Sequence, residues 1–172
     1  TRLPTMPEGL IERMLEREGI TGAKRELLLG RYQERRRQLR EMLAQGSVQE
    51  ILCLPNPEAV QSGSVKLNLG AEMLEASVSY TPGEYAEHIA AIRELVNGEK
   101  NYHLTLLPQV PFRELQVFTL KGAVAVLRCQ EPYTAFVFKN EILTRSIFSY
   151  CDSLIEQFAA DRYTTMQALS NV

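Results

Sequence analysis

The chain is short of the residues that usually carry chemistry. It has three cysteines and two histidines in 172 residues. Cys53, Cys129 and Cys151 are odd in number, far apart, and never form a C-x-x-C pair. That argues for a reducing compartment and against a disulfide framework or a zinc site. His88 and His103 share no metal-ligand spacing with each other or with the cysteines, so no metal and no cofactor is expected. No apolar run approaches the roughly 20 residues that a bilayer span needs. No apolar segment of the signal-peptide kind follows Thr1, and the absence of an initial Met is what a fragment or processed chain would give. Together these absences predict a cytoplasmic protein without membrane contact. Neither sign of charge dominates: 19 basic residues face 21 acidic ones, for a formal charge of −2. As a whole the chain is therefore not an obvious nucleic-acid binder. The G-x-S-x-G elbow, the P-loop and the dinucleotide G-x-G-x-x-G are all missing. Glu114 and Glu131 belong to loops without a paired motif, so a carboxylate dyad is not expected either.

What is present is ordinary globular material. Hydrophobic residues make up 45% of the chain, enough for a sizeable core in a single domain with a helical extension. Pro7-Glu8-Gly9 opens a first helix with Leu10, Ile11, Met14 and Leu15 on one face, stopped at Gly19. A second helix runs from about Ala23 to Ala44 and ends at Gly46. The run 48–54 (VQEILCL) is a short strand, Pro57 starts a turn of helix closed by Ser62-Gly63-Ser64, and 65–69 alternates as a weak edge strand. The stretch 70–79 has no readable pattern. Thr81-Pro82-Gly83-Glu84 has the form of a capping box, with Tyr85, Ile89, Ile92 and Val96 on one helical face and Asn97-Gly98 as the stop. Strands follow at 102–107, 115–120, 123–128 and 134–138. Lys121-Gly122 forms a hairpin turn, while Pro108–Pro111 and Gln130-Glu131-Pro132 form loops. Asn140 caps a helix to about Ala160, and a last short helix holds Met166 and Leu169. The fold class is α/β (α+β): a mixed, partly antiparallel sheet with packed helices and an N-terminal helical extension. The natural division is a helical segment, 1–46, and an α/β domain, 47–172.

The second helix has two faces. Leu28, Tyr32, Leu39 and Met42, with Arg35 between them, repeat in 4-3-4-3 steps as a heptad seam with one charged member. Leu27 and Leu43 widen it. At roughly 33 Å the helix is longer than a small sheet needs, so part of it is expected to project and to pair with its copy in a homodimer. Between Lys24 and Gly46 there are seven basic and three acidic residues, with Arg31, Arg35, Arg36, Arg37 and Arg40 close together. This face could contact phosphate. Equally, it could be a solvated surface held by pairs such as Glu34–Arg37 and Arg37–Glu41. No aromatics alternate with the arginines, which argues against base stacking.

Two further places could hold a ligand. His103 and Thr105 share one side of their strand and could line a pocket. Arg128 and Lys139 end neighbouring strands and could hold an anion, provided the stagger brings them to one end of the sheet. His88, beside Glu87 and one turn after Glu84, reads as a general base or, more simply, as a surface histidine on a solvated helix face.

The segments RRRQLREMLAQGSVQEILCLPNPEAVQSGSV (35–65), YTPGEYAEHIAAIRELV (80–96), NYHLTLLP (101–108) and GAVAVLRCQEPYTAFVFKNEILTRSIFSY (122–150) resemble the C-terminal α/β region of bacterial transcriptional regulators of the Firmicutes type. In those regulators a helix-turn-helix domain precedes this region. The strand and helix block also resembles sensor domains of phospholipase-D-like architecture. Active members of that superfamily carry H-x-K twice. Here His88 is followed two places on by Ala90 and His103 by Thr105, so hydrolysis by that route is excluded. The resemblance implies a non-enzymatic domain for effector sensing or dimerisation. It would act as a homodimer with a possible small-molecule effector, and reach DNA only through a separate domain. The alternative is a small hydrolase or transferase using His103 in a pocket.

Overall fold

The computed structural model describes residues 3–68, 77–108, 115–120, 123–128 and 134–171. After a single 3-10 turn at Leu3–Thr5 come helices α1 (Glu8–Arg17) and α2 (Gly22–Gln45). Strand β1 (Val48–Cys53), helix α3 (Pro57–Gln61), strands β2 (Lys66–Asn68) and β3 (Ser77–Ser79), and helix α4 (Pro82–Gly98) follow. Then come β4 (Tyr102–Leu107), β5 (Leu115–Leu120), β6 (Ala123–Arg128), β7 (Thr134–Phe138), α5 (Glu141–Gln157) and α6 (Arg162–Ser170). The class is mixed α/β, as the sequence implies. The strands are distributed over three small sheets among the described residues: a parallel pair β1–β4, an antiparallel pair β2–β3, and an antiparallel triplet β5–β6–β7. The hairpin turn expected at Lys121-Gly122 lies outside the described residues, as do Cys129, Glu114, Glu131, the loop 130–132, and most of the loop 108–111 and of the unpatterned stretch 70–79.

Local chemistry sets the helix ends. Gly19 takes φ 66°, a left-handed conformation that turns the chain out of α1, and Ile20 N donates back to Leu15 O. At the start of α4, Thr81 Oγ1 accepts from Glu84 N, while a Glu84 carboxylate oxygen accepts from Thr81 N at 2.8 Å. This is the reciprocal box its sequence announces. Thr81→Ala is therefore expected to cost about 1 kcal/mol in urea unfolding, without changing the helix content of the folded state. Asn56, Asn140 and Asp161 cap α3, α5 and α6 in the simpler, one-way fashion.

One hydrophobic cluster runs from Met6 to Leu169. It joins Leu10, Ile11, Met14 and Leu15 of α1 and Leu28, Tyr32, Leu39 and Leu43 of α2 to Tyr85, Ile89, Ile92 and Val96 of α4. The core therefore crosses position 46, and the N-terminal helices share it with the α/β part. Helix α2 does not project. Its buried residues extend from Leu28 near one end to Leu43 near the other, and Asn101 Nδ2 donates to Leu43 O at 3.0 Å. The stripe that faces the core is Leu28, Tyr32, Leu39 and Leu43, with Leu29 packed at its margin. Leu27 and Met42 fall on the opposite flank and stand 49% and 45% exposed. Three of the four seam residues are thus seated in the chain's own core, and Met42 alone is open to a partner.

Candidate functional site

The four residues singled out as ligand contacts do not converge. His103 is exposed, whereas Thr105, two places on in β4, is buried. Among the described residues the His103 side chain has no hydrogen-bond or ion-pair partner. Arg128 and Lys139 belong to the other sheet. In the β6–β7 register Arg128 stands opposite Thr134, and Phe138 stands opposite Val124. Arg128 therefore lies at one end of the pair and Lys139, just past Phe138, at the other, roughly 17 Å away along the strand. Both cations stand at the C-terminal ends of their strands, and the antiparallel direction of the pair sends those ends apart.

The structure instead draws attention to His88. It falls three residues after Tyr85 and one before Ile89, inside the apolar stripe of α4, and is only 1% exposed. The expectation of a surface histidine is corrected: its position in the stripe seats the ring in the core. Both ring nitrogens are occupied. Thr5 Oγ1 lies 3.0 Å from Nε2, and the Tyr80 hydroxyl lies 2.7 Å from Nδ1. A hydroxyl can donate or accept, so either neutral tautomer satisfies the whole chain of bonds. The Tyr80 ring also stacks on the imidazole at 5.9 Å and meets Tyr85 edge-on at 5.5 Å. A lone pair enclosed in this way cannot take a proton from a substrate or bind a metal from solvent.

Around this ring the N-terminal segment is fastened to α4. Glu84, Glu87 and His88 lie at helical spacing, so they present one side of α4. Each meets a residue from before position 20. Arg17 reaches Glu84 at 3.2 Å, Arg13 reaches Glu87 at 2.5 Å, and Thr5 reaches His88. Arg17 also donates to the carbonyl oxygen of Ser79, at the end of β3. A second anchor closes the same region from below: the Tyr32 hydroxyl donates to Met6 O at 2.6 Å from a fully buried ring. Burial pushes the Tyr32 phenol up from its usual range, against the opposing pull of the Arg36 guanidinium. The Arg13–Glu87 pair is half-exposed and stabilises little, and the Arg17–Glu84 pair is only partly covered; the buried hydroxyl–imidazole–hydroxyl chain is the stronger constraint. Sequence patterning held a signal for it, since a histidine at an i, i+3, i+4 position of an apolar stripe belongs to the packed face.

Two arginines of the α2 face, Arg37 and Arg36, are held in ion pairs. Arg37 is held between Glu34 and Glu41, both at 2.7 Å. The hydrogen bond from Arg37 lowers the Glu34 carboxyl, and Glu34 in turn raises the guanidinium. Arg36 lies over the Tyr32 ring, 5.7 Å from its centre, and within 3.7 Å of Glu8. The two pairs of Arg37 are the solvated-surface pairs read from the sequence, the contacts of Arg36 are not, and all of them occupy charge that a phosphate would need. A shallow groove beside them is lined by Glu8, Gly30, Gln33, Glu34, Arg37 and Arg40, with both signs of charge.

The remaining candidates are quiet. Cys53 and Cys151 are half-buried thiols outside any disulfide; the first donates to Leu54 O, and the second is pushed up by burial and by Asp152. Tyr102, 2% exposed, donates to Glu50 at 2.6 Å across the β1–β4 pair, and burial followed by the Glu50 charge raises its phenol far above the usual range. Among the described residues no group of three histidine, cysteine or acidic side chains could hold a metal, and no helix is long and apolar enough to cross a membrane. Set against known protein families, curated proteins and solved structures, the chain matches none.

Proposed function

We propose that this chain is a non-enzymatic regulatory module of a bacterial transcriptional regulator, acting in the cytoplasm through effector sensing or dimerisation. DNA contact would belong to a separate domain. The observation that supports this most is the fastening of the N-terminal helices to α4 around His88. A domain joined through those helices would be mechanically coupled to α4, so a change at α4 would reach it without an independent hinge. The alternative, a small hydrolase or transferase using His103, has weaker support, because an exposed histidine without a carboxylate or hydroxyl partner lacks the orienting group such chemistry uses.

The test uses the complete gene product and this chain side by side in a mobility-shift assay on the DNA upstream of the gene. The reading expects the complete product to shift that DNA, the isolated chain to leave it unshifted, and His103→Ala to change neither. It fails if the complete product carries no DNA-binding segment, or if the chain hydrolyses an ester or phosphoester and His103→Ala abolishes the turnover.

A further inference from the structure

Among the described residues β7 is the edge of its sheet, with β6 as its one strand partner. It reads TAFVF, with no charge and no proline to blunt it. Phe136 and Val137 point to opposite faces of the pleat, and they are 53% and 65% exposed. Helix α5 follows after two residues and adds Ile142 at 79%, Leu143 at 39% and Tyr150 at 43%. Leu143 and Tyr150 are two turns apart on one side of that helix. Thr144 is the one buried residue of α5. These five residues expose on the order of 500 Å² together, spread over both faces of the strand and the helix that follows it.

We propose that this edge is the interface with a second copy of the chain, through antiparallel pairing of β7 with its equivalent. A two-fold axis at Phe136, the middle residue of the strand, overlaps both strands along their whole length and joins two triplets into one six-stranded sheet. The area matches such a pairing. A stable interface covers about 800 Å² on each partner, and about 65% of a homodimer interface is apolar, which is again on the order of 500 Å². The rim carries both signs, with Lys139 and Arg145 beside Glu141, and Arg145 already bonded to Glu141 at 2.6 Å. Two copies therefore do not meet with like charge alone. This inference rests on the dimeric part of the reading above, and moves the interface from α2 to β7 and α5.

Sedimentation equilibrium of the chain, from low to high micromolar, tests it. Wild type is expected to be dimeric. Val137→Lys and, separately, Ile142→Lys should each weaken association by about 100-fold or more, since an edge lysine is the usual block to strand pairing. Both sites are exposed, so the monomer should keep the wild-type circular dichroism spectrum. Met42→Lys on α2 should leave the dimer intact. A wild-type chain monomeric at high micromolar overturns both this interface and the dimeric reading. A dimer that survives both β7 and α5 variants but is lost in Met42→Lys overturns this interface and leaves the dimeric reading standing. A dimer that survives all three also overturns this interface.

Discussion

His88→Ala is expected to lower the unfolding free energy by about 4 kcal/mol, and His103→Ala by less than about 0.5 kcal/mol. The first change empties the volume of a ring that is 1% exposed and strips the Thr5 and Tyr80 hydroxyls of their shared partner. A buried hydroxyl left without its bond costs about 1–3 kcal/mol beyond the cavity. The second change trims a side chain already in water. Urea unfolding followed by circular dichroism reads both, and in a chain of this length the His88 variant should melt roughly 10 °C lower. A triple change, Thr5→Val with His88→Leu and Tyr80→Phe, removes both of these hydrogen bonds with their donors and acceptors together. It should cost less than the sum of the three single changes, because none of the three groups is left facing a lost partner. Equal costs at the two histidines would refute the buried network.

Removing residues 1–46 should abolish cooperative folding. The boundary at 46 looks natural in the sequence, where a charged helix gives way to a strand, but the core does not respect it. Nine residues before that point are buried apolar side chains: Met6, Leu10, Ile11, Met14, Leu15, Leu28, Tyr32, Leu39 and Leu43. At roughly 1.5 kcal/mol each, the low end for full burial, their loss rivals the ~5–15 kcal/mol by which a whole domain is stable. The truncated chain would also expose Tyr85, His88, Ile89 and Ile92 along one face of α4. The 47–172 fragment is expected to bind a hydrophobic dye and to lack a sharp thermal transition, whereas the entire chain shows one. A fragment that melts cooperatively near the wild-type temperature would show two independent domains.

The sequence made the elements legible because their ends are written in local chemistry. Thr81 with Glu84, Asn140, and Gly19 each act within four residues, and the strands 102–107 and 134–138 lie where alternation puts them. The partnership of elements was less legible. Nothing within α2 says whether a stripe of Leu28, Tyr32 and Leu39 meets another helix of the same chain or of a second copy, since burial energy is indifferent to the source of the covering surface. The shift from Met42 to Leu43 has the same origin, because both flank the stripe and the neighbour decides which is covered. His88 was misread for its polarity. Charged neighbours at 84 and 87 suggested a solvated face, but Arg13 and Arg17 of α1 neutralise them, and only the tertiary fold brings those arginines near. Arg128 and Lys139 were readable in principle: both end their strands, and antiparallel neighbours put such ends on opposite sides of the sheet.

The position of α4 in the chain also sets an order of events during synthesis. The N-terminal helices emerge from the ribosome first, yet the surface that covers them, from Tyr85 to Val96, is made only after about half of the polypeptide. Strand β1 pairs later still, since its parallel neighbour β4 begins at Tyr102. At roughly 5–20 residues per second the nascent chain carries the open stripes of α1 and α2 for several seconds. The stretch is then unfinished, with Leu10, Met14 and Tyr32 lacking the surface that covers them. Closure becomes possible in one step once the segment bearing His88 appears, and it draws Thr5 back across most of the length already made.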